Sequence, residues 1–257
     1  MRNGLNLPKN LCIKEKNKIC NSLKNMLYLT WNRGFIMVEK FKVNGFGNEI
    51  LFTKDGQVYT DIAINGLSIT INGNNNKVVI ELPANFVNTA IVIDGDNNKF
   101  SLKTTKHRTI RHTTFGLEGG SEITVGSGLS VYRDVHVVAK NGKNISIGDE
   151  CMFAREIMIR NNDGHVILDR TTGELLNAPE NIVIGDNVWI GARVMILKGA
   201  VVPNGSVVGA MAMVNKEFDE EHVLIAGVPA KVVRTNIEWR REDFAKYMKN
   251  NSSSVEG

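Results

Sequence analysis

Branched apolar residues recur every six positions along the C-terminal half of the chain. This ladder comprises Ile184, Ile190, Ile196, Val202, Val208 and Val214. An α-helix repeats at about 3.6 residues and a strand at about 2, so neither element alone explains the spacing. A period of six fits a solenoid of short strands, in which every sixth side chain enters a narrow core.

A second register of small or β-branched residues supports the solenoid. Four residues after the first five ladder members come Val188, Val194, Ala200, Ser206 and Ala212. A tight corner between strands has room for little else. Upstream, the ladder continues in two sets, which are Val125, Val131 and Val137, then Ile147, Phe153 and Ile159, with Cys151 and Ile157 in the corner register. The pattern is typical of a left-handed parallel β-helix, so we predict an all-β fold of this kind.

The stretch from 64 to 115 has a looser pattern. Its segment 69–77 resembles segment 91–99, and the two copies lie 22 residues apart, which suits three hexapeptides plus a four-residue excursion. Stacked Asn side chains can link such coils through amide hydrogen bonds, and Gly and Asn accept left-handed corners. We predict irregular coils of the same solenoid here, and a separate small β domain is the alternative.

Two breaks interrupt the six-residue register. Four extra residues lie around Lys140 to Lys143, and a longer break separates Ile159 from Ile184. The longer segment is rich in polar and turn-forming residues. Breaks in a solenoid are commonly loops expelled to one face, often the functional one.

The organisation predicted is therefore a basic N-terminal extension (1–40), a β-helix catalytic domain (41–235), and a C-terminal helix with a disordered tail (236–257). Seven basic residues stand against one acid in the first 37 residues, and apolar residues recur there at roughly helical spacing. This extension is interpreted as helical or flexible. It is either a basic amphipathic helix on a membrane or partner, an ordinary packing or trimer-stabilising helix, or a stretch preceding a true start at Met37.

Composition narrows the partners and the compartment. A net charge of +4 gives a mild bias toward anionic partners but no nucleic-acid footprint. Three scattered cysteines, at 12, 20 and 151, argue for a reducing compartment rather than a disulfide scaffold. No apolar run is long enough to span a bilayer, and no signal-peptidase-like site follows Trp31. We expect a cytoplasmic protein, peripheral to the inner membrane if the N-terminal extension contacts it.

Several motifs occur in a specific order along the chain. Asp163-Gly164-His165 lies in the long break, and Trp189 follows His165 by 24 residues. The segment Ala226-Gly227-Val228-Pro229-Ala230-Lys231 comes after the last regular coil, and Asn236-Ile237-Glu238-Trp239 follows it. Over residues 145 to 239 this order resembles the hexapeptide-repeat O-acetyltransferases of sugars, which include galactoside, maltose and polysialic acid capsule O-acetyltransferases.

The resemblance implies the catalytic residues. His165 would be the general base that takes the proton of an attacking sugar hydroxyl, since imidazole titrates near neutral pH. Trp189 would wall the site, although simple packing also accounts for it. A backbone N–H of Gly191 or Ala192 would bind the developing oxyanion. No Ser or Cys stands beside a base, so direct transfer is expected rather than an acetyl-enzyme. Asp163, Asp169 or a backbone carbonyl would orient the imidazole.

The resemblance also implies the cosubstrate. Acetyl-CoA would lie along the coils near Gly209, Ala210 and Asn215, with its phosphates meeting Lys216, Lys231 and Arg234. The family commonly has Thr where Asn215 stands. No metal is expected, because the spacing of His107, His112 and His136 does not resemble the zinc-ligand set of γ-class carbonic anhydrases.

The predicted function is acetyl-CoA-dependent O-acetylation of a glycan, such as capsule, O-antigen or a sialic acid polymer. The acceptor is expected to contact Tyr132, Asp134, His136 and Asp163, with Arg133 lining the same groove. A homotrimer is expected, because a β-helix has no deep internal pocket and the resembling enzymes bind CoA between subunits. The alternatives are an amino-sugar N-acetyltransferase and a non-catalytic β-helix rod.

Overall fold

The computed structural model describes residues 41–60 and 62–251. They form a parallel β-helix in which each coil has three strands, one on each of three faces. The third face carries a sheet whose strands stack coil on coil. Its parallel strands are Glu49–Lys54, Lys77–Glu81, Lys99–Leu102, Glu122–Val125, Ile145–Ile147, Ile182–Ile184 and Val201–Val202.

A second sheet wraps the two remaining faces. The first face contains Phe86–Val87, Ile110–Arg111, Trp189–Ile190, Val207–Val208 and Leu224–Gly227. The second face contains Phe41–Asn44, Leu67–Asn72, Thr89–Asp94, Thr113–Glu118, Met195–Leu197 and Met213–Val214. Two long strands, Ser130–Ala139 and Met152–Arg160, turn a corner and belong to both faces.

The six-residue ladder forms the core. Its members pair in register within each face, as Ile147 with Ile184 and Ile184 with Val202. All of them are buried, and so is the second register at the corners. Three hexapeptides make one coil of 18 residues, which is the offset between Ile196 and its partner Val214. The predicted parallel β-helix is thus confirmed.

The irregular upstream segment is part of the same solenoid, so the alternative of a separate β domain is wrong. Ile69 pairs with Ile91, as the internal similarity predicted. The predicted amide contacts are also present, since Asn76 Nδ2 donates to Asn48 Oδ1 and Asn98 Nδ2 donates to Asn76 Oδ1. These asparagines lie at the corner between the second and third faces, where extra residues lengthen each of these coils beyond 18 residues.

The longest excursion occurs at that same corner. Ile159 pairs with Ile196, so this coil takes 37 residues instead of 18. The additional residues form a loop, 161–181, which leaves the second face after Arg160 and returns to the third face at Ile182. The expectation of an expelled loop between Ile159 and Ile184 is therefore confirmed.

The C-terminal segment differs from the predicted structure. Ala230–Arg234 turns back antiparallel on Leu224–Gly227, as Gln57–Tyr59 does on Glu49–Lys54 at the other end. The helix predicted from Asn236 spans only Phe244–Asn251. Asn236 has a positive φ of 52°, and the Ile237 N–H donates to His222 O, so the segment before the helix is held against the coils. The predictions for residues 1–40 and for the tail from 252 concern residues outside those that the structure describes.

Candidate active site

The predicted site residues other than His136 fall into two groups on opposite sides of the solenoid. On or beside the first face, or at its corner with the second, lie Trp189, Gly191, Ala192, Gly209, Ala210, Lys231, Arg234, Tyr132 and Asp134. At the corner between the second and third faces lie Asp163, His165, Asn215 and Lys216. A triangular coil separates its first face from the opposite corner, so one chain does not bring Trp189 and His165 together.

The first face carries a groove beside Trp189. A pocket of about 400 Å³ is lined there by aromatic, apolar and basic side chains, which are Arg111, Ser130, Val131, Tyr132, Met152, Phe153, Ala154, Arg155, Trp189 and Ala192. Trp189 pairs with Met152 below it and Val207 above it, and the residue is 38% exposed. A half-exposed indole over an apolar floor suits the wall of a binding groove.

From the coil below Trp189 upward, the groove is lined by very small residues. Ala154, Gly191, Gly209 and Ala226 occupy equivalent outward positions in successive coils. A Cβ on Gly191 would lie 2.7 Å from Ala210 N and 2.9 Å from Val208 O, so no larger residue fits between these coils. The result is a shallow channel along the solenoid axis that an extended chain can approach closely.

The two oxyanion candidates differ in their backbone hydrogen bonds. Gly191 N–H donates to Val208 O at 2.8 Å as part of the ladder between coils, so it is not available to a ligand. Ala192 N–H makes no hydrogen bond within residues 41–60 and 62–251. Of the two sequence-predicted donors, only Ala192 therefore keeps a free N–H beside Trp189.

A C-terminal segment that the sequence did not assign to the site supports Trp189. Trp239 is 8% exposed, its ring lies 6.0 Å from that of Trp189, and its Nε1 donates to Asn187 O at 2.7 Å. Arg241 donates to Ser130 Oγ, Glu150 O and Cys151 O. The motif at 236–239 was the only sequence signal for these contacts, since each joins residues at least 50 positions apart.

The loop with His165 is a β-hairpin. Leu168 and Leu175 form an antiparallel bridge, and Leu176 N–H donates to Ile167 O. Its apolar side chains are exposed, among them Val166, Ile167, Leu168, Leu175 and Leu176. At its base, Asn177 Nδ2 donates to both His165 O and Asp163 Oδ2, which fixes the backbone on either side of Gly164.

The imidazole of His165 is exposed and makes no hydrogen bond in the part of the chain described. The carboxylates proposed to orient it are engaged elsewhere. Asp163 Oδ2 accepts a hydrogen bond from Lys198 Nζ at 2.6 Å, and this contact, together with that from Asn177, lowers the pKa of the Asp163 carboxyl. Asp169 Oδ1 accepts from Thr171 N and Thr172 N, which lowers its pKa as well. Both carboxylates therefore hold the hairpin in place and do not orient the imidazole.

The residues predicted to bind CoA also lie on both sides of the solenoid. Gly209 and Ala210 continue the channel above Trp189, and Lys231 pairs with Ala226 at its upper end. Arg234 pairs with Leu224 on the same side. Lys216 lies at the opposite corner, where its Nζ is 5.1 Å from the centre of the Phe218 ring, and Asn215 precedes it. Only the first four share the groove of Trp189 within one chain.

The predicted acceptor residues are also spread over the fold. Tyr132 is exposed at the lower edge of the pocket, and Asp134 occupies the next corner, with a positive φ of 54°. His136 points outward from the second face beside Met158, its register partner. Asp163 is on the opposite corner with the hairpin.

Cys151 is not a nucleophile in this arrangement. It is buried at a corner, its Sγ contacts Gly185 O, and burial raises the pKa of its thiol to about 12. A neutral thiol of this kind does not attack a thioester at physiological pH.

Comparison with known proteins shows the family of the chain. Residues 181–216 match the family described as bacterial transferase hexapeptide (six repeats). The polysialic acid O-acetyltransferase of Neisseria meningitidis is 35% identical over 195 residues, which cover 74% of this chain and 87% of that protein. The enzyme of the same name from Escherichia coli O1:K1 / APEC is 33% identical over 49% of this chain, which spans only 39% of that relative.

Two solved structures share the fold. The polySia specific acetyltransferase NeuO and the polysialic acid O-acetyltransferase OatWY each have a TM-score of 0.71 and 29% identity. Each match covers 84% of this chain, with 96% of NeuO and 98% of OatWY. The repeat and these neighbours imply a left-handed β-helix, and their being enzymes overturns the alternative of a structural rod. The chain belongs to the hexapeptide-repeat sugar O-acetyltransferase family.

Proposed function

We propose that this protein transfers an acetyl group from acetyl-CoA to a hydroxyl of a capsule, O-antigen or sialic acid glycan. The observation that carries the proposal is the axial channel of small residues beside Trp189, with Ala192 N–H free at its side. An extended pantetheine arm fits a channel of this shape. Lys231 and Arg234 at its upper end suit the phosphates of CoA.

The acetyl group passes directly from the thioester to the sugar hydroxyl, without an acetyl-enzyme. The sugar hydroxyl attacks the thioester carbonyl as His165 takes its proton, and Ala192 N–H donates to the oxygen that becomes negative. The C–S bond then breaks, and the protonated imidazole returns the proton to the leaving thiolate. The neutral Cys151 thiol is consistent with the absence of an acetyl-enzyme.

The active site is assembled between copies of the chain. His165 and Trp189 lie on opposite sides of one coil, so the hairpin of one subunit reaches the groove of the next. The exposed apolar side chains of the hairpin need such a partner, since Val166 is 73% exposed.

The outward surface of the second face supports a trimer. It presents mostly small or apolar side chains, such as Ala90, Val92, Thr114, Val138, Met158 and Met195. The third face instead carries a charged edge, with Glu49, Lys77, Lys99 and Glu122 in register. Closed threefold symmetry buries the largely uncharged second face and leaves this charged edge in water.

The general base is tested by His165→Ala. Turnover of acetyl-CoA with a glycan acceptor should fall by about 100-fold or more, with little change in the KM for acetyl-CoA. His107→Ala, which removes an exposed histidine from another corner, is the matched control. Near-normal turnover in the His165 variant would remove this residue from the mechanism. Product NMR across glycans and amino sugars separates O- from N-acetylation.

The shared site is tested by mixing two inactive variants. In mixed trimers of His165→Ala and Trp189→Ala, a site that combines an intact hairpin with an intact neighbouring groove is active. Random mixing in equal amounts should restore about a quarter of the wild-type sites. A site contained within one subunit would show no recovery, and this result would refute the assembly.

A further inference from the structure

The lower half of the groove carries a column of arginines. Arg111, Arg133 and Arg155 recur at 22-residue intervals, and each immediately precedes a corner residue with positive φ. Arg133 and Arg155 are register partners in adjacent coils. Because parallel strands lie about 4.8 Å apart, the column sets guanidinium groups at coil spacing along the solenoid axis.

The column has an excess of positive charge. Asp134 is the acid beside Arg133, at 3.5 Å. Glu156 lies 3.7 Å from Arg155 but only 2.6 Å from Arg193, whose hydrogen bond is the main reason that the pKa of Glu156 is lowered. Arg111 forms no ion pair within the described residues. The guanidinium groups therefore outnumber the carboxylates at this corner.

The column borders an apolar pocket. Arg111 and Arg155 line the pocket with Tyr132 and Trp189, above a floor that includes Met152. The Arg133 guanidinium lies 5.9 Å from the centre of the Tyr132 ring. Flat aromatic surface next to guanidinium groups suits a ligand that combines a ring with a carboxylate, because arginine binds carboxylates through two parallel hydrogen bonds.

We propose that this arginine column, Arg111, Arg133 and Arg155, binds successive carboxylates of an anionic sugar chain that runs along the groove. The inference rests on the proposed function, in which the donor occupies the channel above Trp189. The acceptor then enters from below, and the two substrates meet at Trp189. Specificity for a charged polymer arises because the column repeats with the coils, so that a longer acceptor contacts more guanidinium groups.

The test compares two double variants that lose equal charge. Arg111→Gln/Arg155→Gln removes two arginines of the pocket, whereas Lys99→Gln/Lys103→Gln removes two exposed lysines from the third face. Acceptors are sialic acid oligomers of increasing length and the same oligomers with carboxyl groups reduced to alcohols. Binding of a labelled oligomer is also measured by fluorescence polarisation without acetyl-CoA, and circular dichroism checks folding.

The arginine variant should raise the acceptor KM and the dissociation constant of the oligomer about tenfold or more. Each lost arginine removes charge-assisted hydrogen bonds to a carboxylate, and solvent weakens these exposed contacts only in part. Its KM for acetyl-CoA should stay within about twofold, as should all constants of the lysine variant. Arg111→Lys/Arg155→Lys should recover part of the affinity, because the charge remains. Reduced oligomers should bind both proteins equally poorly.

Two results would overturn the arginine column. One is unchanged oligomer binding in the arginine variant, and the other is a raised KM for acetyl-CoA with a normal acceptor KM, which would assign the column to the donor. Absence of acetyl transfer to every glycan by the wild-type protein would overturn the proposed function instead. Oligomer binding measured without turnover still decides on the column in that case.

Discussion

Gly191→Ala should destabilise the coils beside the active site, whereas Gly116→Ala should not. Both glycines lie on outward positions of strands or their ends, and neither has a positive φ. They differ in the space around them. A Cβ on Gly191 meets backbone atoms at 2.7 and 2.9 Å, whereas a Cβ on Gly116 first meets Val138 Cγ2 at 3.6 Å.

The magnitude follows from these distances. Backbone atoms cannot rotate away as a side chain can, so adjacent coils must separate by several tenths of an ångström. Overpacking of this kind costs about 1–3 kcal/mol. The hydrogen bond from Gly191 N–H to Val208 O lies in the same gap, and its weakening adds up to about 1 kcal/mol. The midpoint of thermal unfolding should fall by at least about 2 °C, the shift expected for about 1 kcal/mol in a domain of this size.

The assay is thermal unfolding followed by circular dichroism, together with turnover of acetyl-CoA. Gly116→Ala should be neutral or stabilise by about 0.4–1 kcal/mol, because alanine restricts the unfolded chain and fits its site. Turnover should fall only in the Gly191 variant, since Ala192 N–H moves with the coil. Equal midpoints for the two variants would refute the steric argument for small residues in the channel.

Two further predictions concern the corners. Asn76→Ala should lower the free energy of unfolding, measured by thermal melting, by about 1–3 kcal/mol for each buried partner left unpaired. The control is Asn44→Ala, which removes an exposed amide and should cost under about 0.5 kcal/mol. For Asp163, the lowered pKa means that its stabilisation is present above the ordinary value of 3.8 and is lost as the pH falls through the lowered value. The difference in melting midpoint between wild type and Asp163→Asn should therefore shrink below pH 3.8, and a pH-independent difference would contradict this.

The core could be predicted from the sequence because burial and period are linked residue by residue. Ile184, Ile190 and Ile196 each enter the interior from a different face of one coil. The similarity of segments 69–77 and 91–99 likewise gave the correct pairing, since Ile69 aligns with Ile91 in space as in sequence. A fixed repeat converts distance along the chain into position on a face.

The features that the sequence did not predict depend on contacts that the repeat does not encode. Gly191 N–H donates to Val208 O, and is thereby unavailable to a ligand, only because of the register between these two coils. Trp239 meets Trp189 through a contact between distant positions, and hydrogen bonds hold the preceding segment out of the predicted helix. The hairpin at 166–176 had a local signal, because Thr171, Thr172 and Gly173 form a turn between two apolar runs.

The same geometry separates stability from specificity. In each coil the ladder residue points inward and its neighbour points outward, so Phe153 packs the core while Ala154 and Arg155 face the groove. A substitution in an outward column changes the groove at one coil height and leaves the interior ladder intact. The acceptor half of the groove can therefore change its charge one coil at a time, whereas the donor half is restricted by the backbone contacts around Gly191. On this basis we expect related chains to vary more at the positions of Arg111, Arg133 and Arg155 than in the small-residue channel.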